Sequence, residues 1–327
     1  MKKFITSIII VFIISLSLLG CNSSEQNTII LFSCMEESRE TAMMNQLNNK
    51  FPDYEIILQH YSTGNCGAKL LAEGTKTEAD IIVGLQCASL ETVKDLLADV
   101  SNVKTSTYSK PELNPEHGMY WIWEKYDGGI VVNTDVLLAE GLPEPQTFND
   151  LLNPLYEGWI VMPTAQISGT GYMFFNNWYN MWGEDEAFIY LDKLAVNISQ
   201  FVSSGHNVPQ LLLSGENAIG LVDLMNVYRQ IEEGAPLKII IPDTGAPFNI
   251  TGTAIIKGKE DNKVVMEVYE YLMGEYVVDD NSKFSPGFIF EEQLSEIAGY
   301  PENIPMADMR TITDEVLKTR LVEKWKY

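Results

Sequence analysis

Basic residues are scarce in this chain. It carries 22 lysines and arginines against 45 aspartates and glutamates, with three histidines, for a formal net charge of −23. Such a chain repels nucleic acid and anionic lipid headgroups, so neither is an electrostatic partner. Internal repeats and low-complexity stretches are missing. No block of like charge is long enough to make a disordered tail. A globular body remains.

Long apolar runs are missing too, with one exception at the start. "MKKFITSIIIVFIISLSLLG" opens with Lys2 and Lys3 and continues through an apolar run from Phe4 to Leu19, interrupted by Thr6, Ser7, Ser15 and Ser17. The run is shorter than the ~20 apolar residues of a membrane-spanning helix and fits a secretory signal over 1–20. It ends in "LLGC", which resembles a bacterial lipobox and implies lipid modification of Cys21, the other reading being a plain signal peptide. Two acyl chains suffice for stable anchoring. Residues 21–27 then form a short polar tether. Without the signal, 307 residues remain, and their 20 basic and 45 acidic side chains give a formal charge of −25. That length is enough for about two domains. At that charge, lipid rather than surface attraction must hold the protein at a membrane.

Short β-branched runs alternate with segments of helical period. "TIILF" (28–32), "YEIILQHY" (54–61) and "ADIIVG" (79–84) read as strands. They are separated by helices over 38–51, 65–74 and 89–100, with Ser38 and Ser89 as caps. This β-α-β-α-β-α order is the signature of a parallel sheet with helices on its faces. An aromatic stretch, "GMYWIWEKYDGGIVVNT" (118–134), runs through paired glycines into a strand. A second series follows: strands at 158–163, 198–203, 218–223 and 237–242, and helices at 168–182, 184–197 and 224–234. Residues 251–258 and 262–274 add a last strand and helix. The expected fold is α/β, with two lobes that are each a mostly parallel sheet flanked by helices. Two crossing strands near 127–132 and 242–252 join them. Lobe 1 takes 28–128 and 243–285, and lobe 2 takes 129–242 and 286–327.

Ligands bind beyond the carboxyl ends of strands in open parallel sheets. Those ends hold Ser33 and Cys34; Thr63, Gly64 and Asn65; Gln86 and Cys87; Ser168, Gly169 and Thr170; Ser203 and Ser204; and Asp223. Hydroxyls, amides and backbone N–H groups dominate, and no lysine or arginine falls there. "SGTGY" lacks both the phosphate-loop pattern with its lysine and the G-x-G-x-x-G of a dinucleotide loop. It remains a helix start rich in glycine and hydroxyls. Such a start favours an anionic oxygen or only caps its own helix. No nucleophile, base and orienting group fall together, so no catalytic residue, metal ligand or cofactor is assigned.

"TFNDLLNPLYEGWIVMPTAQISGTGYMFF", "GEDEAFIYLDKLAVNISQFVSSGHNVPQLLLSGENAIGL", "GGIVVNTDVLLAEGLPEPQTF" and "ADMRTITDEVLKTRLVEKW" occur here in their family order. Together they resemble the extracellular solute-binding proteins of ABC importers, in the branch with ferric-ion, aminoethylphosphonate and phosphosugar binders. The resemblance spans roughly residues 28 to 326. It implies the type II periplasmic-binding-protein fold, whose two lobes close over one solute. The site it implies takes Ser168, Gly169, Thr170, Ser203 and Ser204 from the second lobe, facing Thr63, Gly64 and Asn65. It also implies a lipoprotein acting outside the cytoplasm as a monomer, with an ABC permease and its ATPase as partners. The ferric branch has adjacent tyrosines after the strand written here as "AIGLV". This chain has "DLMNVY", placing Met225 and Asn226 there and leaving Tyr228 unpaired, which argues against ferric ion bound in that manner.

Hydroxyl and backbone donors without a basic residue suit a phosphonate or phosphate ester. Asp223, if it does not cap the helix that follows, is placed to accept from an ammonium or hydroxyl group, which suits an aminoalkylphosphonate. The rival readings are a binder of ferric or another metal ion, a ligand-sensing lipoprotein, and a lipid-anchored hydrolase. Cys34, Cys66 and Cys87 are expected close together as one disulfide, as free thiols or as a thiolate metal site. His60 and "MYWIWEKY" read as packing residues, with Tyr126 or Trp123 as possible walls of the cleft.

Overall fold

Three parallel strands begin the computed structural model, which describes residues 27–103, 110, 113–285, 287, 289–290, 295–297, 299–301 and 303–327. They are β1 (Thr28–Ser33), β2 (Glu55–His60) and β3 (Ile81–Gln86), with β1 between the other two. All six residues of β3 are buried, as expected of a near-continuous apolar run covered on both faces. Helices α1 (Glu37–Lys50) and α2 (Thr63–Glu73) make the crossovers. The signal, Cys21 and most of the tether lie outside the described residues.

The third expected helix is much shorter than its sequence suggests. α3 covers only Cys87–Thr92. Beyond one 3-10 turn at Lys94–Leu96 the chain is recruited by a strand: Ala98 N–H donates to Ile255 and Lys257 N–H donates to Leu96. Leu97, Ala98 and Val100 are buried by this pairing, and tertiary contacts override helix propensity. The expected serine caps also differ. α1 is preceded by Glu36 with no side-chain cap, and Ser89 lies inside α3.

β4 (Trp121–Asn133) is the long strand that joins the two halves. Its residues 121–127 pair antiparallel with β9 (Phe248–Ile255), which also pairs with β3. From Gly128 onward it pairs instead with β7 (Ile219–Asp223) and β8 (Leu237–Ile240). The two glycines at this change of partner are needed for space. A Cβ on Gly128 would stand 2.3 Å from Met173 Cε, and one on Gly129 3.2 Å from Leu224. The second crossing segment runs alongside, with Gly128 N–H donating to Pro247.

The second half contains α4 (Thr134–Glu140), β5 (Ile160–Pro163), α5 (Gly169–Trp182), α6 (Glu184–Leu194), β6 (Ile198–Val202), α7 (Val208–Leu213) and α8 (Met225–Glu232). β5 is parallel to both β6 and β7. α9 (Lys263–Tyr271), α10 (Val277–Phe284) and α11 (Glu315–Lys324) complete the chain. The sheet order is β2-β1-β3-β9-β4-β7-β5-β6, with β8 also on β4. One core gathers β1–β3, β9 and α9 around Trp123, Tyr269 and Tyr276, and includes Ile289 and Phe290. A second gathers α5 and α6 around Phe148 and Trp178, and includes Leu317 and Trp325 of the C-terminal segment. A smaller cluster of Val131, Val161, Val208 and Val222 packs with α7.

Candidate functional site

The carboxyl ends of the two strand sets face each other across a cleft of about 730 Å³. Cys34, Thr63 and Asn65 line it from the first set. Ser168, Gly169, Thr170, Ser203, Ser204 and Asp223 line it from the second. Four other strand-end residues, Ser33, Gly64, Gln86 and Cys87, do not. Ser33 is fully buried, and its Oγ accepts from Met35 N–H at 3.3 Å. Gly64 sits where the halves touch, its N–H donating to Ile167 O at 2.9 Å. Tyr126 is a cleft wall, whereas Trp123 stacks on Tyr276 in the first core.

Helices α1, α2 and α5 begin at this cleft, as does α8 at Met225. α5 starts at Gly169, and its cap is Ser168, whose Oγ accepts from Gly171 N–H at 3.3 Å. Thr170 is therefore not the cap. α2 starts at Thr63 behind Ser62, which makes no capping bond. α1 starts at Glu37, beside Glu36. Free N–H groups and helix dipoles at such starts favour anionic oxygens. The α5 start is closely held. Asn249 Nδ2 donates to Gly169 O at 3.1 Å and to Tyr126 Oη at 3.2 Å. Burial pushes the Tyr126 phenol up, and the charges of Asp223 and Glu124 push it further.

The cleft also carries acidic side chains, of which the sequence had singled out only Asp223. Glu36, Glu124 and Asp223 all line it, and His206 stands among them. His206 Nδ1 is 3.3 Å from Glu36 Oε1 and 3.7 Å from Asp223 Oδ2. Burial disfavours the imidazolium. The Glu36 carboxylate, with the charges of Asp223 and Glu124, outweighs burial and raises His206 to about 9. Burial also lifts the Asp223 carboxyl above the usual carboxylate range, against the pull of His206. Asp223 does not cap α8, which is preceded by Leu224 and has no side-chain cap. Gly205 makes the approach possible, because a Cβ there would stand 2.5 Å from Thr170 Oγ1 and 3.1 Å from Asp223 Oδ2. Nothing in the spacing of 36, 206 and 223 links these residues, and of the three the sequence singled out only Asp223.

Two cations come closer than the strand-end survey allowed, but neither is free for an anion. Arg39 lines the cleft, yet its guanidinium is fully engaged by Glu124 and Asp280 in a buried ion-paired cluster. Thr251 Oγ1 donates to Glu124 Oε1 at 3.3 Å. Lys318 arrives from α11 and donates to Gln86 Oε1 at 2.6 Å and Ser89 Oγ at 2.5 Å. Cys34, Cys66 and Cys87 are free thiols. A hydrogen bond with Cys66, aided by burial, pushes the Cys34 thiol up. Tyr228 lies outside the cleft lining and packs edge-on to Tyr300 at 4.9 Å.

A profile of bacterial extracellular solute-binding proteins matches residues 79–293. The chain belongs to this family. Its members are binding proteins rather than enzymes, and they act outside the cytoplasm. An uncharacterized protein of Haemophilus influenzae is 29% identical over 205 residues, 60% of this chain, and the match spans 58% of that relative's length. Among solved structures, the periplasmic binding protein P5PA matches with a TM-score of 0.80 and 22% identity, covering 91% of this chain and 98% of that one. AfuA of Actinobacillus pleuropneumoniae, with fructose-6-phosphate bound, matches with a TM-score of 0.81 and 22% identity, over 91% and 97%. These likenesses establish the type II periplasmic-binding-protein fold. Among the described residues, no helix of this solute-binding protein is long and apolar enough to cross a membrane.

Proposed function

We propose that this solute-binding protein takes up a phosphate ester or phosphonate in the cleft and delivers it to an ABC permease and its ATPase. Lipid on Cys21 holds it at the outer face of the membrane, and it works as a monomer. The lobes, 28–128 with 243–285 and 129–242 with 286–327, close over the solute. One observation carries the reading: hydroxyl and backbone donors line the same cleft as carboxylate acceptors. The starts of α2 and α5, with Thr63, Asn65 and Thr170, offer donors to phosphoryl oxygens. In the same cleft, Glu36, Asp223 and Glu124 offer acceptors to hydroxyl or ammonium groups. A solute carrying both a phosphoryl group and hydroxyl or ammonium donors satisfies both. An anion lacking donors is instead repelled by these carboxylates. AfuA holds a phosphosugar within the same fold, in keeping with this class.

Calorimetric titration tests it. A sugar phosphate and an aminoalkylphosphonate are each run beside inorganic phosphate and the unphosphorylated sugar. Binding of either of the first two, at least tenfold tighter than the last two, is expected. Equal affinity for the unphosphorylated sugar overturns the reading. So does a visible charge-transfer band with ferric citrate that Tyr228→Phe abolishes, because that places the ferric ligands where Tyr228 stands.

A further inference from the structure

Glu36, His206 and Asp223 bring three potential metal-ligand atoms within 4.8 Å of one another. Among the described residues, His206 Nδ1 has only the Glu36 and Asp223 carboxylates beside it, and Asp223 Oδ2 makes no hydrogen bond although Asp223 is only 3% exposed. Buried polar atoms are rarely left so. Two ligands bound 2.0–2.1 Å from a tetrahedral zinc stand about 3.3 Å apart. Here His206 Nδ1 is 3.3 Å from Glu36 Oε1 and 3.7 Å from Asp223 Oδ2. The atoms are thus spaced as ligands around one ion.

We propose that Glu36, His206 and Asp223 form a site for a divalent transition cation, Zn²⁺ or Mn²⁺, inside the cleft. One imidazole and two carboxylates suit these ions, since imidazole favours zinc and carboxylate also accepts manganese. The cation balances the carboxylates that gather there, where among the described residues the lining arginine, Arg39, is already paired. Its remaining coordination positions face the cleft. The ligands come from both halves of the molecule: Glu36 from the start of α1, His206 from the turn after β6, and Asp223 from the end of β7. A cation held by all three favours the closed arrangement, because only that arrangement offers it three ligands. The site uses no tyrosine and goes beyond the solute reading, on which it does not depend.

The test is a calorimetric titration of purified, metal-free protein with MnCl₂ and, separately, with ZnCl₂, in a buffer free of phosphate and of any solute. One ion per chain is expected, with Zn²⁺ bound more tightly than Mn²⁺. Glu36→Gln, His206→Ala and the shape-preserving Asp223→Asn should each weaken binding by more than about a hundredfold, the upper end for losing even an outer-shell partner. Thermal melts without metal check that these variants fold. His60→Ala removes a separate histidine–carboxylate pair, with Glu40 at 2.9 Å, and should bind as the parent does. Failure to bind either ion overturns the proposal. So does equal affinity in the folded variants, which would mean that His206 instead sits as an imidazolium between two carboxylates. Either result leaves the phosphate-ester reading to its own titration.

Discussion

Gly64 donates its backbone N–H to the carbonyl oxygen of Ile167 at 2.9 Å, so the first turn of α2 rests on the segment that leads into α5. A Cβ on Gly64 would stand 2.6 Å from Gln166 O. Gly64→Ala should therefore hold the halves apart while leaving each core intact. Overpacking of this kind costs about 1–3 kcal/mol. Solute affinity should fall roughly tenfold to a hundredfold, with little change in the melting temperature of the unliganded protein. Calorimetry beside small-angle scattering checks this: unchanged affinity and unchanged dimensions with solute would show that the contact is not part of closure.

Ser168 and Thr170 divide two roles that the sequence left merged. Ser168→Ala removes the cap of α5 and should lower stability by about 1 kcal/mol. Thr170→Ala should instead weaken solute binding by roughly tenfold to a hundredfold, the loss of about 1.5–3 kcal/mol for one hydrogen bond to a charged group. Its melting temperature should move little. A thermal melt and a titration on each variant separate the two, and the reverse pattern would move the phosphoryl contact away from Thr170.

Lys318 gives a pH signature. Burial lowers its ammonium from 10.5 to about 7, against the pull of Cys34 and Cys87. The folded state sheds this proton more readily than the unfolded chain. The penalty of the buried charge is thus fully present below pH 7 and is relieved as pH rises toward 10.5. Relative to Lys318→Met, the parent should gain stability between pH 6.5 and pH 9.5. The bonds to Gln86 and Ser89 that the variant also loses contribute an offset without that slope. Urea unfolding at several pH values measures it, and a difference independent of pH would mean that Lys318 titrates normally.

Cys21→Ser should release the protein from membranes or block processing of the signal. Fractionation and the mass of the N-terminal peptide check this. Membrane attachment that persists, with no lipid on that peptide, would contradict anchoring through Cys21.

What was legible in the sequence was whatever a short window carries. β1, β2, β3, β5 and β7 fall where apolar runs between turn residues place them, and α5 starts within a residue of its expected position. The 89–100 segment misled because its helical period is real, while its backbone partner, Ile255, lies far along the chain. Cys34, Thr63, Asn65, Thr170, Ser204 and Asp223 were placed at the cleft because one topological rule points to strand ends. Glu36, Glu124 and His206 were not. Glu36, His206 and Asp223 meet only through folding, and Glu124 sits mid-strand beside Arg39, whose partner Asp280 comes from α10. Ser33 was misplaced by one residue of depth, because at the end of a buried strand one position faces the cleft and its neighbour faces the core.

The central claim is that the cleft holds a solute with a phosphoryl or phosphonate group. Mass spectrometry of the small molecule released on denaturing freshly purified protein tests it most directly. The account predicts a phosphorus-containing solute bearing hydroxyl or amino groups, near one per chain, and depleted in Thr170→Ala. A stoichiometric solute containing no phosphorus would contradict it.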